Sequence, residues 1–408
     1  MHVTSLKLVN FRSYCDATAS FGPGLNVVVG ENATGKTNLL EGAWFALRAA
    51  SPRTRREDKL IQWGASFARI EVVLEESGSP PAMIEVGVSP RAGRVMKWSG
   101  LPVDSIDDLR RRSQAAIFVP ESLLLVKGSP ARRRGHIDAF AAGLDRRYAL
   151  ALREFNEVWR QRNAQLDAVR AGASERALGP WDAQYARSAV MLGCHRREIV
   201  SELGERFSCE IAALTPRHER YALQLVSQLE AFDFDEVAVL EELRRRRDSE
   251  VRRGFTSLGP HRDDVRFIEL PEPERGSDQV PARKTSGVCA SPETPAEGRD
   301  LRLFGSQGEQ RLAVLALLLA EEDSAARRSG RSGILFLDDV MSELDDVRRR
   351  LLVDRLTAVG QAIVTTTNRY YFTDSELENA TVIELPLGGS VAQPERASSA
   401  SGEQGDTR

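Results

Sequence analysis

Apolar and polar positions alternate from Val3 through Leu6, Leu8 and Phe11, the two-residue period of a half-buried strand. A turn at Gly22-Pro23-Gly24 leads into the apolar run Leu25-Asn26-Val27-Val28-Val29. From Lys36 to Leu47 the period lengthens to that of a helix, with Leu39, Leu40, Ala43, Trp44 and Leu47 on one side. Strand-like runs follow at 67–74, 83–88, 94–98 and 115–119, the last stopped by Pro120. Residues 1–129 therefore read as a mixed α/β lobe with a β-rich middle.

The pattern changes at Pro130. Tyr148, Leu152, Phe155, Trp159, Leu166 and Val169 step by three and four, with Arg162 the one polar break. After a polar loop at 171–180, Trp181, Tyr185, Leu192, Ile199, Leu203 and Phe207 repeat the spacing loosely. Two helices joined this way predict an antiparallel hairpin. It reads equally as an arm, about 38 Å long at 1.5 Å per residue, or as a helical subdomain packed on the first lobe. A strand at 221–226 and a basic helix around 235–253 complete a helical insertion over 130–255. Residues 256–387 return to α/β patterning, with an apolar helix at 312–320 and strands ending at Leu337 and Val364. Within them 271–299 is rich in Pro, Gly, Ser and Thr without apolar period and predicts a mobile insertion; 388–408 predicts a disordered tail.

The 408 residues are 41% hydrophobic and 28% charged, which suits a soluble globular chain of two or more domains. No apolar run reaches bilayer length, and the first residues lack the layout of a secretory signal. Four cysteines and five histidines are scattered without metal-ligand spacing, which argues against structural zinc and suits a reducing cytoplasm. A net charge of −3 excludes a nucleic-acid binder basic over its whole surface. Arginines are nonetheless clustered at 110–112, 132–134 and 244–247. Arg132, Arg133 and Arg134, following the turn Gly128-Ser129-Pro130, are the first choice for contacts to DNA phosphates; the plainer reading is a solvated helix face.

The chemistry lies in three stretches. Gly30, Glu31, Asn32, Ala33, Thr34, Gly35, Lys36 and Thr37 fit the phosphate-loop pattern between a strand and a helix. Its glycines let backbone N–H groups turn onto an anion, Lys36 is placed for the β- and γ-phosphates of ATP, and Thr37 for Mg²⁺. Ser306, Gln307, Gly308, Glu309 and Gln310 stand at the start of an apolar helix, a second anion-receptive terminus. Ile334-Leu335-Phe336-Leu337 reads as a buried strand delivering Asp338 to the metal and Asp339 to the attacking water as general base. Thr365-Thr366-Thr367-Asn368 either reaches toward a γ-phosphate or simply fills a strand end. One loop and one signature per chain must meet within a chain or across a dimer, and the sequence alone does not choose.

Together Asn10-Phe11-Arg12-Ser13-Tyr14, residues 30–40, Gly259-Pro260-His261-Arg262-Asp263-Asp264, residues 306–311 and 337–345 resemble the RecF family, bacterial replication and repair proteins related to SMC proteins among the ABC-type ATPases. The resemblance implies an ABC-type P-loop ATPase head built from N- and C-terminal segments around a helical insertion. It implies a signature that closes over the nucleotide of a second subunit, ATP-driven homodimerisation on DNA at gaps or single-/double-strand junctions, and help to RecO and RecR in loading RecA. Ala33-Thr34 replaces the family's usual glycine and small polar residue, Glu309 replaces glycine or glutamine, and no Q-loop glutamine is evident. Two alternatives share parts of this pattern: an ATP-binding DNA clamp that does not hydrolyse, and a transporter ATPase subunit, whose loop and signature lie closer together in sequence.

Overall fold

The computed structural model describes residues 1–215, 219–271 and 298–386. The expected tail at 388–408 lies outside them, as does nearly all of the insertion expected at 271–299.

The first lobe begins with β1 (His2–Phe11), β2 (Tyr14–Ser20) and β3 (Leu25–Val29). The phosphate loop and the helix Lys36–Arg48 follow, then β4 (Ala68–Glu76), β5 (Ser79–Ser89), β6 (Gly93–Trp98), β7 (Leu101–Pro102) and β8 (Ala115–Phe118). After the helical region come β9 (Tyr221–Val226), β10 (Asp264–Glu269), β11 (Arg299–Asp300), β12 (Ile334–Asp338), β13 (Gln361–Thr366) and β14 (Thr381–Glu384).

These strands make three sheets. The central one, ordered β14-β3-β13-β12-β8, is parallel throughout and brings strands from both ends of the chain together. All five residues of β12 are buried, because a parallel sheet is covered on both faces. Ile334 and Phe336 face a core shared with the helix Lys36–Arg48 and the antiparallel sheet β2-β1-β4-β5-β6-β7; Leu335 and Leu337 face a second core. The buried Gln361 exchanges two hydrogen bonds of 2.8 Å with the backbone of Val3, which ties the two sheets together.

The second core answers the question about the hairpin. Its helices, Arg146–Arg170 and Leu178–Leu214, run 25 and 37 residues. Leu192, Ile199, Leu203 and Phe207 pack with Leu312 to Ala320 of the helix Gln307–Ser329, so the hairpin's base belongs to the ATPase body. Its outer end is braced as well: Leu166, Val169 and Leu178 close on Val251 of the helix Glu236–Arg253. The polar break in the seam has a reason. Arg162 is fully buried and donates to Asp182 at 3.0 Å, Thr256 at 2.7 Å and Glu250 at 2.7 Å. The hairpin is thus packed at its base on the ATPase body and at its outer end on the helix Glu236–Arg253.

Candidate nucleotide site and its relatives

The loop sits at the carboxyl end of β3, where a parallel sheet leaves a crevice for ligands. Gly35 has φ of 100°, and a Cβ there would come within 2.8 Å of the Tyr14 hydroxyl, which donates to Gly35 O at 3.1 Å. Only glycine fits such an approach. Ala33 has φ of 68°, in the left-handed region, so the departure from the usual glycine falls where the backbone favours one. The helix Lys36–Arg48 has no side-chain cap, and the N–H groups of its first turn are open to an anion. Lys36, 7% exposed, folds its ammonium onto Gly30 O at 2.6 Å and Glu31 O at 2.8 Å. Burial lowers its pKa, against the pull of Asp339 and Asp338.

The carboxylates stand beside it. Thr37 Oγ1 donates to Asp338 Oδ2 at 2.7 Å, and Thr365 Oγ1 donates to Asp338 Oδ1 at 2.7 Å. Thr365 also accepts from the Asp339 N–H at 3.0 Å. The threonine at the end of β13 thus positions the two aspartates. Asp339 takes φ of 49°, and its Oδ1 is buried with no hydrogen-bond partner among the described residues. Burial raises its pKa, as does Asp338, while Ser342 and Lys36 pull it down. A residue held in a strained conformation with an unmet acceptor is equipped to take a hydrogen bond from a ligand or water.

The residues fit Mg²⁺. Thr37 and Asp338 offer hard oxygen donors, and no group of three or more His, Cys, Asp or Glu that could hold a metal occurs among the described residues. Two protein oxygens suit a cation that keeps its waters and shares a substrate's phosphates.

The signature stretch forms a different kind of terminus. Ser306 caps the helix Gln307–Ser329 in a capping box: Ser306 N donates to Glu309 Oε2 at 2.6 Å and Glu309 N to Ser306 Oγ at 3.3 Å. Glu309 therefore has a structural task. Gln310 is 3% exposed and donates to Leu301 O at 2.7 Å and Gly305 O at 3.1 Å, so it shapes the loop from beneath. Ser306 and Gln307 are exposed, and no hydrogen bond joins the stretch to the chain's own phosphate loop among the described residues. Arg311 donates to Glu343 at 2.7 Å, tethering the helix start to the segment after the aspartates.

The arginine cluster is corrected in part. Arg133 is 4% exposed and grips Asp264 with two hydrogen bonds, at 2.7 and 2.9 Å, while Arg134 donates to Asp263 O at 2.6 Å. Arg133 is held inside and Arg134 half-buried because the helix Pro130–Leu144 lays that face on β10 and the turn before it. Arg132 alone stays exposed. The motif Gly259–Asp264 is part of the same lock, with Arg196 bonded to Asp263 at 2.7 Å and to Asp138.

Sequence reasoning assigned no role to the residues that brace the loop. Arg12 forms a two-pronged pair with Glu41 at 2.8 and 2.9 Å, and Ser13 accepts from Asn38 at 2.9 Å. Their only signal was the stretch Asn10–Tyr14 itself.

Comparison with known proteins agrees with this architecture. The model of the RecF/RecN/SMC N terminal domain matches residues 2–384. The DNA replication and repair protein RecF of Halalkalibacterium halodurans is 32% identical over 395 residues, covering 95% of this chain and 98% of the relative. RecF of Geobacillus kaustophilus is 32% identical over 408 residues, covering 97% and 100%. A solved structure of the recombination mediator protein RecF-ATPrS in the RecFOR pathway superposes with a TM-score of 0.75 at 24% identity, covering 91% of this chain and 94% of that one. An Smc head bound to the C-winged helix domain of ScpA gives 0.53 at 15%, covering 94% of each, and shares the fold. With a phosphate loop and a paired-aspartate strand assembled from opposite ends of one chain, and with relatives matched along nearly their whole length, this protein belongs to the RecF family of DNA replication and repair proteins, within the SMC-like ABC-type ATPases.

Proposed function

We propose that this protein is an ATP-dependent DNA-binding protein of replication and recombinational repair, in which bound ATP and Mg²⁺ close two copies around DNA and slow hydrolysis releases them. The observation that carries the reading is the junction of Thr37 with Asp338 beside the orphaned Asp339 oxygen. It gives one chain the loop, the metal ligands and the base, while the exposed Ser306 terminus serves none of them.

The loop N–H groups and the first turn of the helix Lys36–Arg48 bind the phosphate chain, and Lys36 exchanges its two carbonyl partners for phosphate oxygens. Thr37 and Asp338 would hold Mg²⁺, which when bound would supply charge neutralisation at the transferred phosphoryl group. Asp339 orients the attacking water and accepts its proton at Oδ1, helped by a pKa that burial raises. The Ser306 and Gln307 terminus of a second copy covers the γ-phosphate, so binding, closure and hydrolysis are coupled.

The wider role follows the family. A RecF relative has been solved with ATP as a recombination mediator of the RecFOR pathway. On that footing the closed dimer recognises gapped DNA or a single-/double-strand junction, meets RecR and RecO there, and assists RecA loading. A cytoplasmic setting agrees with free Cys15, Cys194 and Cys209, and no described helix is long and apolar enough to cross a membrane. A clamp that binds ATP without hydrolysing it is the second reading; the pair Asp338 and Asp339 argues against it. Nucleotide titration of Lys36→Met tests the site: affinity for ATP falls at least about thirtyfold, the loss of two or more kcal/mol for a charged contact. Wild-type affinity would remove the loop from the account, and phosphate release with and without DNA separates switch from clamp.

A further inference from the structure

The parallel sheet ends at β8, and that edge is left open. Ile334 N donates to Gln114 O at 3.1 Å, and the parallel register pairs Ile334 with Ala115 and Phe336 with Ile117. In an evenly spaced parallel ladder, Gln114, Ala116 and Phe118 then serve β12, while Ala115 and Ile117 turn their N–H and C=O groups outward. No protein group among the described residues takes those outward groups. Ile117 is nonetheless only 8% exposed. Its backbone faces a cavity of about 670 Å³ that runs along the strand between Trp44 and Phe140. Buried backbone groups without partners are rare in folded proteins, and a recessed open strand edge is a template for another strand.

The walls carry the second observation. Arg48, Arg110 and Arg132 line the cavity, and none has a carboxylate partner among the described residues. Arg48 and Arg110 hold only one another's carbonyls, at 3.3 and 3.1 Å. Burial and the neighbouring Arg110 bring the Arg48 pKa down to about 10, while Glu321 pulls it back up. Of the acids that reach the cavity, Glu321 bonds His136 at 2.7 Å and Glu322 accepts from Gly333 N at 3.0 Å, while Glu121 stands exposed at its rim.

We propose that this groove takes an extended acidic peptide of a partner protein, which adds a strand to β8 and places its carboxylates on Arg48, Arg110 and Arg132. Strand addition supplies affinity through the main chain, and the side chains supply specificity against the arginines and the apolar walls at Trp44 and Phe140. Nucleic-acid phosphates would suit the arginines but have no groups to complete the ladder at Ala115 and Ile117. The groove is separate from the nucleotide site, so its occupation does not depend on Lys36.

The test uses the full chain and a fluorescent short peptide alternating valine with glutamate, read by anisotropy. The expected result is saturable binding that slows hydrogen exchange at the Ala115 and Ile117 amides. Affinity should drop about tenfold with Arg132→Glu, an exposed position whose change leaves the core intact. A lysine-for-glutamate version of the peptide, and one N-methylated at alternate residues, should not bind. Absence of binding by the acidic peptide, binding with unaltered exchange at Ala115 and Ile117, or equal binding of the N-methylated peptide overturns the proposal. So does a single-stranded oligonucleotide that displaces the peptide and is itself weakened by Arg132→Glu. Stronger peptide binding after deletion of 387–408 would give the groove to this chain's own tail and overturn the partner.

Discussion

At the scale of single residues the account rests on Asp339, whose unmet oxygen and raised pKa come from burial at a strand end. Asp339→Asn is expected to retain ATP binding and lose hydrolysis by a hundredfold or more, roughly the contribution of a positioned base; phosphate release under saturating ATP measures it. His261 gives a prediction with a sign. Burial brings its pKa down to about 4, and it stacks on Trp159 with ring centroids 4.9 Å apart. The folded chain therefore holds it neutral where the unfolded chain, near 6.5, takes up a proton. Its contribution is complete above about pH 6.5 and is lost as the pH falls toward 4, to a total of no more than about 3 kcal/mol. Melting of His261→Gln across that range should show a shallower loss than wild type. The role of Asp339 was legible in the sequence; the setting of His261 was not. Gly259–Asp264 stood out as a motif, but that its histidine is stacked and its aspartates hold Arg133 and Arg196 depends on helices distant in sequence.

Elements were easier to read than their faces. The strands β3, β8 and β12 and the helix after the loop follow from apolar period and glycine placement, which are local signals. The face of Pro130–Leu144 is not local. Three adjacent arginines look alike in sequence, and only packing on β10 separates buried Arg133 from exposed Arg132. Arg133→Ala is therefore expected to cost about 3–5 kcal/mol of stability, as an uncompensated Asp264 is left behind, while the salt dependence of DNA binding stays unchanged. Urea unfolding and binding at several salt concentrations measure the two effects. An unchanged midpoint with a flatter salt slope would return Arg133 to the DNA surface. Arg162 teaches the same lesson, since a polar break in an apolar seam became the buried centre of four polar side chains.

For the whole molecule, the parallel sheet explains why loop and aspartates come from opposite ends of the chain: β3 and β12 both border β13, so the helical insertion between them is carried without disturbing the site. The loop pattern and the order of motifs were legible because each is a short run with a fixed backbone task. The sequence leaves the partner of Ser306 open between the same chain and a second copy, since one loop and one signature do not choose between them. Exposed Leu303 and Phe304, 70% and 66% accessible just before Ser306, add apolar surface for a second copy to cover. The decisive measurement is the solution mass of Asp339→Asn, which cannot turn over, and of the double variant Asp339→Asn with Ser306→Arg, each with ATP and Mg²⁺. Trans closure predicts twice the mass of one chain for the first and the mass of one chain for the second, with ATP bound by both. Two chains in both, or one chain in both despite bound ATP, would contradict it.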